Sequence, residues 1–282
     1  MLHAVRDWDD AYANGANIPG GERWPALWVK PADDFRRAML AEARATLDIA
    51  YGDGARHRLD LFMPVGPARG LVVFVHGGFW MRLDKSYWSH LAQGSVDSGY
   101  AVAMPSYTLC PDVRLADITN EVAASIAQAA AMIEGPVLLT GHSAGGHLVT
   151  RMISATSPLP DPVRARVRNT VSISGLHDLR PLMKTAMNAD LRIDDAEARA
   201  ESPALLRPLP GARVTCWVGG AERPEFLRQN ALLANIWIGL GALTCCIEEP
   251  GRHHFNVIDG LADPSHPLVR TLLSDASQSM MG

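Results

Sequence analysis

Gly141-His142-Ser143-Ala144-Gly145-Gly146 lies between the apolar run Pro136-Val137-Leu138-Leu139-Thr140 and the helix-compatible run His147-Leu148-Val149-Thr150-Arg151-Met152-Ile153. The order is strand, Gly-x-Ser-x-Gly, helix. In that context a serine sits on a sharp turn at the top of a sheet, presented as a nucleophile. Gly141 and Gly145 suit a turn too tight for side chains, and Gly145 lets the following helix pack closely. The N-terminus of that helix favours negative charge developing beside the serine. Serine also caps helices, but a glycine two residues away on each side and a strand before it favour the nucleophile.

Outward from this turn, seven stretches read as strands: Leu59–Phe62, Leu71–Val75, Tyr100–Met104, Val137–Thr140, Thr170–Ser174, Arg213–Val218 and Leu243–Glu248. Helices are expected at Asp117–Ile133, His147–Ser154, Pro224–Ile238 and near Pro267–Ser277. Leu71-Val72-Val73-Phe74-Val75 is the clearest continuous apolar run, as in a strand buried on both faces of a mostly parallel sheet. Alternation of strand and helix predicts an α/β fold with a doubly wound sheet flanked by helices. Residues 1–282 are read as one domain with two additions. Residues 1–50, marked by Trp8, Trp24, Trp28, Pro19, Pro25 and Pro31, form an irregular N-terminal extension that closes with an amphipathic helix, Asp33–Leu47. Residues 176–208 hold no good strand. Their helical pieces, Asp194–Glu201 among them, predict a small cap-like insertion over the sheet's C-terminal edge, with Met183, Met187 and Leu191 as apolar lining.

A chain of 282 residues with 48% hydrophobic residues and no low-complexity tract buries a large core. The formal charge of −4, with scattered Lys and Arg, provides no basic field for nucleic acid. No 18-residue apolar run suggests a membrane span, and the first ten residues lack a signal-peptide pattern. Four cysteines, Cys110, Cys216, Cys245 and Cys246, are too few for a disulfide framework, so a reduced, cytoplasmic protein is expected. Neither a His-Glu-x-x-His nor a Cys-x-x-Cys pattern supports a metal, and no phosphate-cradling glycine loop supports a nucleotide cofactor. The expected partner is a small-molecule substrate, and the sequence is compatible with a homodimer.

Acyl transfer by serine also needs donors for the oxyanion, a base, and an acid that orients the base. His76-Gly77-Gly78-Phe79-Trp80 leaves the strand Leu71–Val75. Its two glycines can turn the Gly77 and Gly78 amides toward a substrate carbonyl, with the Ala144 amide as a further donor. Phe79 and Trp80, followed by Met81, Tyr87 and Trp88, are placed to stack on an aryl group. His76 is expected to brace this loop.

With these two motifs the chain resembles the α/β-hydrolase fold and, more narrowly, the His-Gly-Gly-x-Trp group that includes the kynurenine formamidases (arylformamidases) and related esterases. Ser174-Gly175-Leu176-His177-Asp178-Leu179-Arg180-Pro181-Leu182, Gly219-Gly220-Ala221-Glu222-Arg223-Pro224-Glu225-Phe226-Leu227-Arg228-Gln229 and His253-His254-Phe255-Asn256-Val257-Ile258 extend the likeness over roughly Leu59 to Ile258. The N-terminal fifty residues carry none of it. The resemblance implies that Ser143 is the nucleophile, His254 the base and Glu222 the acid, in the chain order of this fold. Relatives usually have aspartate at the acid position, and the longer glutamate changes the reach. Glu225 and Asp178 are rivals for the acid, and His253 is the local alternative to His254. The implied activity is hydrolysis of an N-formyl group on an aromatic amine, N-formylkynurenine being the family substrate, or of a small aryl ester. A general carboxylesterase, lactonase or exopeptidase on the same fold is the alternative enzyme. A ligand-binding protein without turnover is the alternative of another class.

Overall fold

Along Leu71–Val75 (β3) side chains alternate between the two faces of the strand, and all five are buried. Leu71, Val73 and Val75 enter one hydrophobic cluster. Val72 and Phe74 enter another. A strand apolar on both faces must be covered from above and below, which puts it inside the sheet rather than at an edge.

In the computed structural model, which describes residues 4–274, that strand is one of eight. The others are Ala45–Ala50 (β1), Arg58–Phe62 (β2), Ala101–Pro105 (β4), Val137–His142 (β5), Val167–Ile173 (β6), Arg213–Gly219 (β7) and Leu243–Glu249 (β8). They form a single sheet in the order β1-β2-β4-β3-β5-β6-β7-β8. β1 and β2 run antiparallel to their neighbours, and the pairs from β4 through β8 are parallel. One face is covered by the helices Leu115–Met132, Ala144–Arg151 and Pro224–Ile238. The other is covered by Trp24–Ala41, the 3-10 segment Lys85–Ala92 and Pro267–Leu273. All seven expected strands are present. The expected terminal helix near Pro267–Ser277 is described as Pro267–Leu273, and residues 275–277 lie outside the described residues.

The N-terminal extension departs from expectation. In place of a helix Asp33–Leu47, the chain is helical over Trp24–Ala41 and then enters β1. Buried Trp28, Ala32, Phe35 and Met39 recur at helical spacing along one side. Pro25 falls in the first turn, where its missing N–H costs nothing, and Pro31 lies on the exposed side. After the helix, Ala43 adopts φ 54°, and burial then alternates residue by residue through β1, the period of a strand.

The insertion expected at 176–208 consists of short turns of helix at Arg180–Lys184, Asn188–Leu191, Asp195–Glu201 and Pro203–Leu205. Glu201 fastens it to the elbow helix and to the helix Leu115–Met132. Its carboxylate accepts from Arg151 Nε (3.0 Å) and Thr119 Oγ1 (2.6 Å), and its carbonyl accepts from His147 Nε2 (2.6 Å).

Because β3, β5, β6, β7 and β8 are parallel, their C-terminal ends share one edge of the sheet. His76, Ser143, Ser174, Glu222 and His254 all follow those ends, which is where open α/β sheets hold ligands.

Candidate active site

Ser143 leaves β5 with φ 56° and ψ −115°, a strained conformation for a residue with a side chain. Two close approaches hold it there. A Cβ on Gly145 would overlap the Val75 carbonyl, and one on Gly141 would overlap the Gly145 carbonyl. The Ser143 N–H donates to the Ile173 carbonyl at 2.8 Å, and its carbonyl receives the His147 N–H at 3.1 Å. The helix begins at Ala144, directly after the serine, rather than at His147 as expected.

His254, after β8, donates from Nδ1 to Glu222 Oε2 at 2.6 Å. A carboxylate only accepts, so Nδ1 carries a proton, and in the neutral ring Nε2 is then the nitrogen with the lone pair. The glutamate is itself fixed: its other oxygen accepts from Ser174 Oγ at 2.5 Å and from the Gly219 amide at 2.8 Å. Both side chains are buried. Around the imidazole, the His142 ring lies at 4.6 Å and the Phe226 ring at 4.5 Å. His142 also donates from Nε2 to the His254 carbonyl at 2.8 Å. Burial, with a smaller contribution from the neighbouring His254 ring, holds His142 well below the usual histidine range, so it is a neutral strut.

The rivals are engaged elsewhere. Asp178 is bound by Arg180 at 2.8 and 3.0 Å. Glu225 accepts from the Tyr12 hydroxyl, Gln229 and Arg228. His253 stands edge-on to Trp24 at 5.1 Å.

The loop after β3 lies against the elbow, where a Cβ on Gly77 would come within 3.1 Å of the Ser143 Cβ. Gly78 has φ 109°, and its carbonyl receives the Met81 and Arg82 amides in a tight turn. Among the described residues, the Gly77, Gly78 and Ala144 amides donate to no other backbone group. His76 braces the loop. Its Nδ1 donates to the Gly77 carbonyl at 2.7 Å, and its ring stacks on Tyr107 at 4.3 Å. Burial lowers its pKa to about 4.

Ser143 and His254 open into one cavity of about 520 Å³, with Gly78, Phe79, Trp88, His142, Phe255 and Met187 among its walls. Trp80, expected beside the substrate, is not there. It is fully buried, edge-on to His147 at 5.1 Å, because the loop's left-handed residues Phe79 and Trp80 send the two aromatic rings apart. Of the insertion, only Met187 lines the cavity, while Leu191 is buried in the core. Half of the lining comes from residues 9–28, which the sequence marks only as part of an irregular extension. Ser174 was likewise without an assigned role. Its position directly after β6, next to β7, is the signal that could have paired it with Glu222.

The profile of the alpha/beta hydrolase family matches residues 72–273. The chain is an alpha/beta hydrolase. Kynurenine formamidase of Salmo salar is 29% identical to this hydrolase over 249 residues, 84% of each chain. The Danio rerio kynurenine formamidase is 28% identical over 279 residues, 90% of this chain and 94% of that one. A crystal structure from Silicibacter sp. TM1040, described as a proposed thioesterase, is 50% identical, with a TM-score of 0.89 over 96% of this chain and all of that one. Esterase B of Lactobacillus rhamnosis, 20% identical with a TM-score of 0.65 over 89% of this hydrolase and 91% of that chain, shares the fold.

Proposed function

We propose that this alpha/beta hydrolase cleaves small aryl formamides and aryl esters through an acyl-enzyme on Ser143. One observation carries the reading: a strained serine shares a cavity with a histidine whose far nitrogen is held by a buried carboxylate. In this mechanism His254 Nε2 takes the Ser143 proton as Oγ attacks the formyl or ester carbonyl. The Gly77, Gly78 and Ala144 amides hold the oxyanion, each worth on the order of 3 kcal/mol in the transition state. His254 then protonates the leaving arylamine or aryloxide, and Glu222 stabilises the imidazolium formed on the way. Water, activated by the same histidine, releases formate or the carboxylic acid and restores Ser143.

Aromatic walls at Trp28, Phe79, Trp88 and Phe255 suit an aryl group, and the kynurenine formamidases among the relatives favour a formamide. The likeness to the Silicibacter structure supports aryl thioesters as a second class, opened by the same steps. The reading places the enzyme in the cytoplasm, where its four free thiols stay reduced. Among the described residues no helix is long and apolar enough to cross a membrane.

The test is kcat/KM on N-formylkynurenine beside p-nitrophenyl acetate and an aryl thioester. A formamide value comparable to or above the ester supports a formamidase. A formamide value far below both others leaves an esterase or thioesterase and removes the formamide from the proposal.

A further inference from the structure

We infer that the N-terminal arm, residues 9–28, selects substrates by size, and that Tyr12 is the residue that clamps it over the cavity. This rests on the hydrolase reading above and adds which part of the chain chooses the substrate. The residues of the proposed chemistry all lie within the span matched by the family, 72–273, whereas the arm lies outside it. Yet half of the residues lining the cavity belong to the arm, from Asp9 to Trp28. Chemistry and cover thus come from different parts of the chain. A cover of this kind can set the size of the acyl group without altering the reacting atoms.

The clamp is a buried polar cluster. The Tyr12 hydroxyl donates to Glu225 Oε1 at 2.7 Å. Gln229 Nε2 donates to the same carboxylate oxygen at 2.9 Å and to the Tyr12 hydroxyl at 3.2 Å. Arg228 balances the charge from the exposed side. A hydroxyl donating to a buried carboxylate is among the stronger hydrogen bonds a fold makes. The Phe226 ring lies between arm and base, 6.0 Å from the Tyr12 ring and 4.5 Å from the His254 ring. Outer ties act in the same sense: Asp9 accepts from the Ala186 amide at 2.7 Å, and Asp10 pairs with Arg223. The arm's Asn14 Nδ2 and Trp28 Nε1 are buried without an acceptor.

The experiment compares kcat/KM for p-nitrophenyl acetate and p-nitrophenyl octanoate in wild type, Tyr12→Phe and Asp10→Ala. Fluorophosphonate labelling of Ser143 and the rate of tryptic cleavage at Arg23 are followed in parallel. Tyr12→Phe keeps the ring and leaves Glu225 paired with Arg228 and Gln229, so the fold is retained. The acetate-to-octanoate ratio is expected to fall by about fivefold, the weight of one net buried hydrogen bond, with faster cleavage in the arm and labelling retained. Asp10→Ala is expected to move both readouts the same way by less. An unchanged ratio in a Tyr12→Phe protein that still labels overturns the inference and leaves the hydrolase reading intact. Wild-type protein that neither labels nor turns over either ester removes the hydrolase reading, and the inference falls with it.

Discussion

Replacing Glu222 by glutamine is predicted to abolish most of the activity with almost no change in shape. Glu222 receives three donors, His254 Nδ1 on one oxygen and Ser174 Oγ with the Gly219 amide on the other. Glutamine has a single acceptor oxygen. Two donors hold that oxygen on the Ser174 and Gly219 side, so the amide NH₂ faces the imidazole. A donor opposite Nδ1 forces the ring proton onto Nε2, where it blocks uptake of the Ser143 proton. A tautomer error of this kind costs about 10⁴ in rate, or roughly 5.4 kcal/mol at 1.36 kcal/mol per decade. The assay is steady-state kcat/KM on p-nitrophenyl acetate, with circular dichroism confirming the fold. Asp178→Asn is the paired control, since Asp178 is bound to Arg180 and makes no hydrogen bond to His254. A collapse in Asp178→Asn with Glu222→Gln left active would refute the assignment of the acid.

Two further outcomes follow from burial. Desolvation holds His76 and His147 at about 4 and His177 at about 3, against 6.5 for an ordinary histidine. Between those values the unfolded chain binds more protons than the folded one. Stability is therefore full above about pH 6.5 and is lost as pH falls toward 4, at up to about 1.4 kcal/mol per pH unit for each histidine. Thermal midpoints measured from pH 7.5 to 4.5 should be flat at first and then fall; a midpoint constant throughout contradicts neutral burial. In the loop after β3, Phe79→Ala should raise KM for an aryl ester with little loss of stability. Trp80→Ala should instead cost about 4 kcal/mol of stability, read as a lowered thermal midpoint, and the reverse pattern would put Trp80 at the substrate.

Legibility in the sequence followed how local the cause was. The elbow and β3 were readable because tight turns demand glycine and doubly buried strands demand unbroken apolar runs. The proposed roles of Glu222 and His254 rest chiefly on family resemblance; the one local sign against Glu225 is its place in the first turn of Pro224–Ile238, where an acid commonly serves only as a charge partner of the helix N-terminus. β1 was missed because it is a half-exposed edge strand whose weak alternation directly follows a genuine amphipathic helix. Phe79 lines the cavity as expected, but Trp80 does not, because two adjacent left-handed residues turn its ring away from that of Phe79, and backbone sign cannot be read from residue type. The arm was legible only as an irregular extension marked by Trp8, Trp24, Trp28 and its prolines, whose tryptophans could equally line the site or pack on the body. Its clamp joins Tyr12 to Glu225, 213 residues away, and its lining residues are mostly small or polar.

The measurement closest to the central claim is mass spectrometry of the protein after a fluorophosphonate probe. A single covalent adduct on the peptide carrying Ser143, absent from Ser143→Ala and greatly slowed in His254→Ala, is the predicted result. Equal labelling of wild type and Ser143→Ala, or no labelling of either, would contradict a covalent mechanism on Ser143.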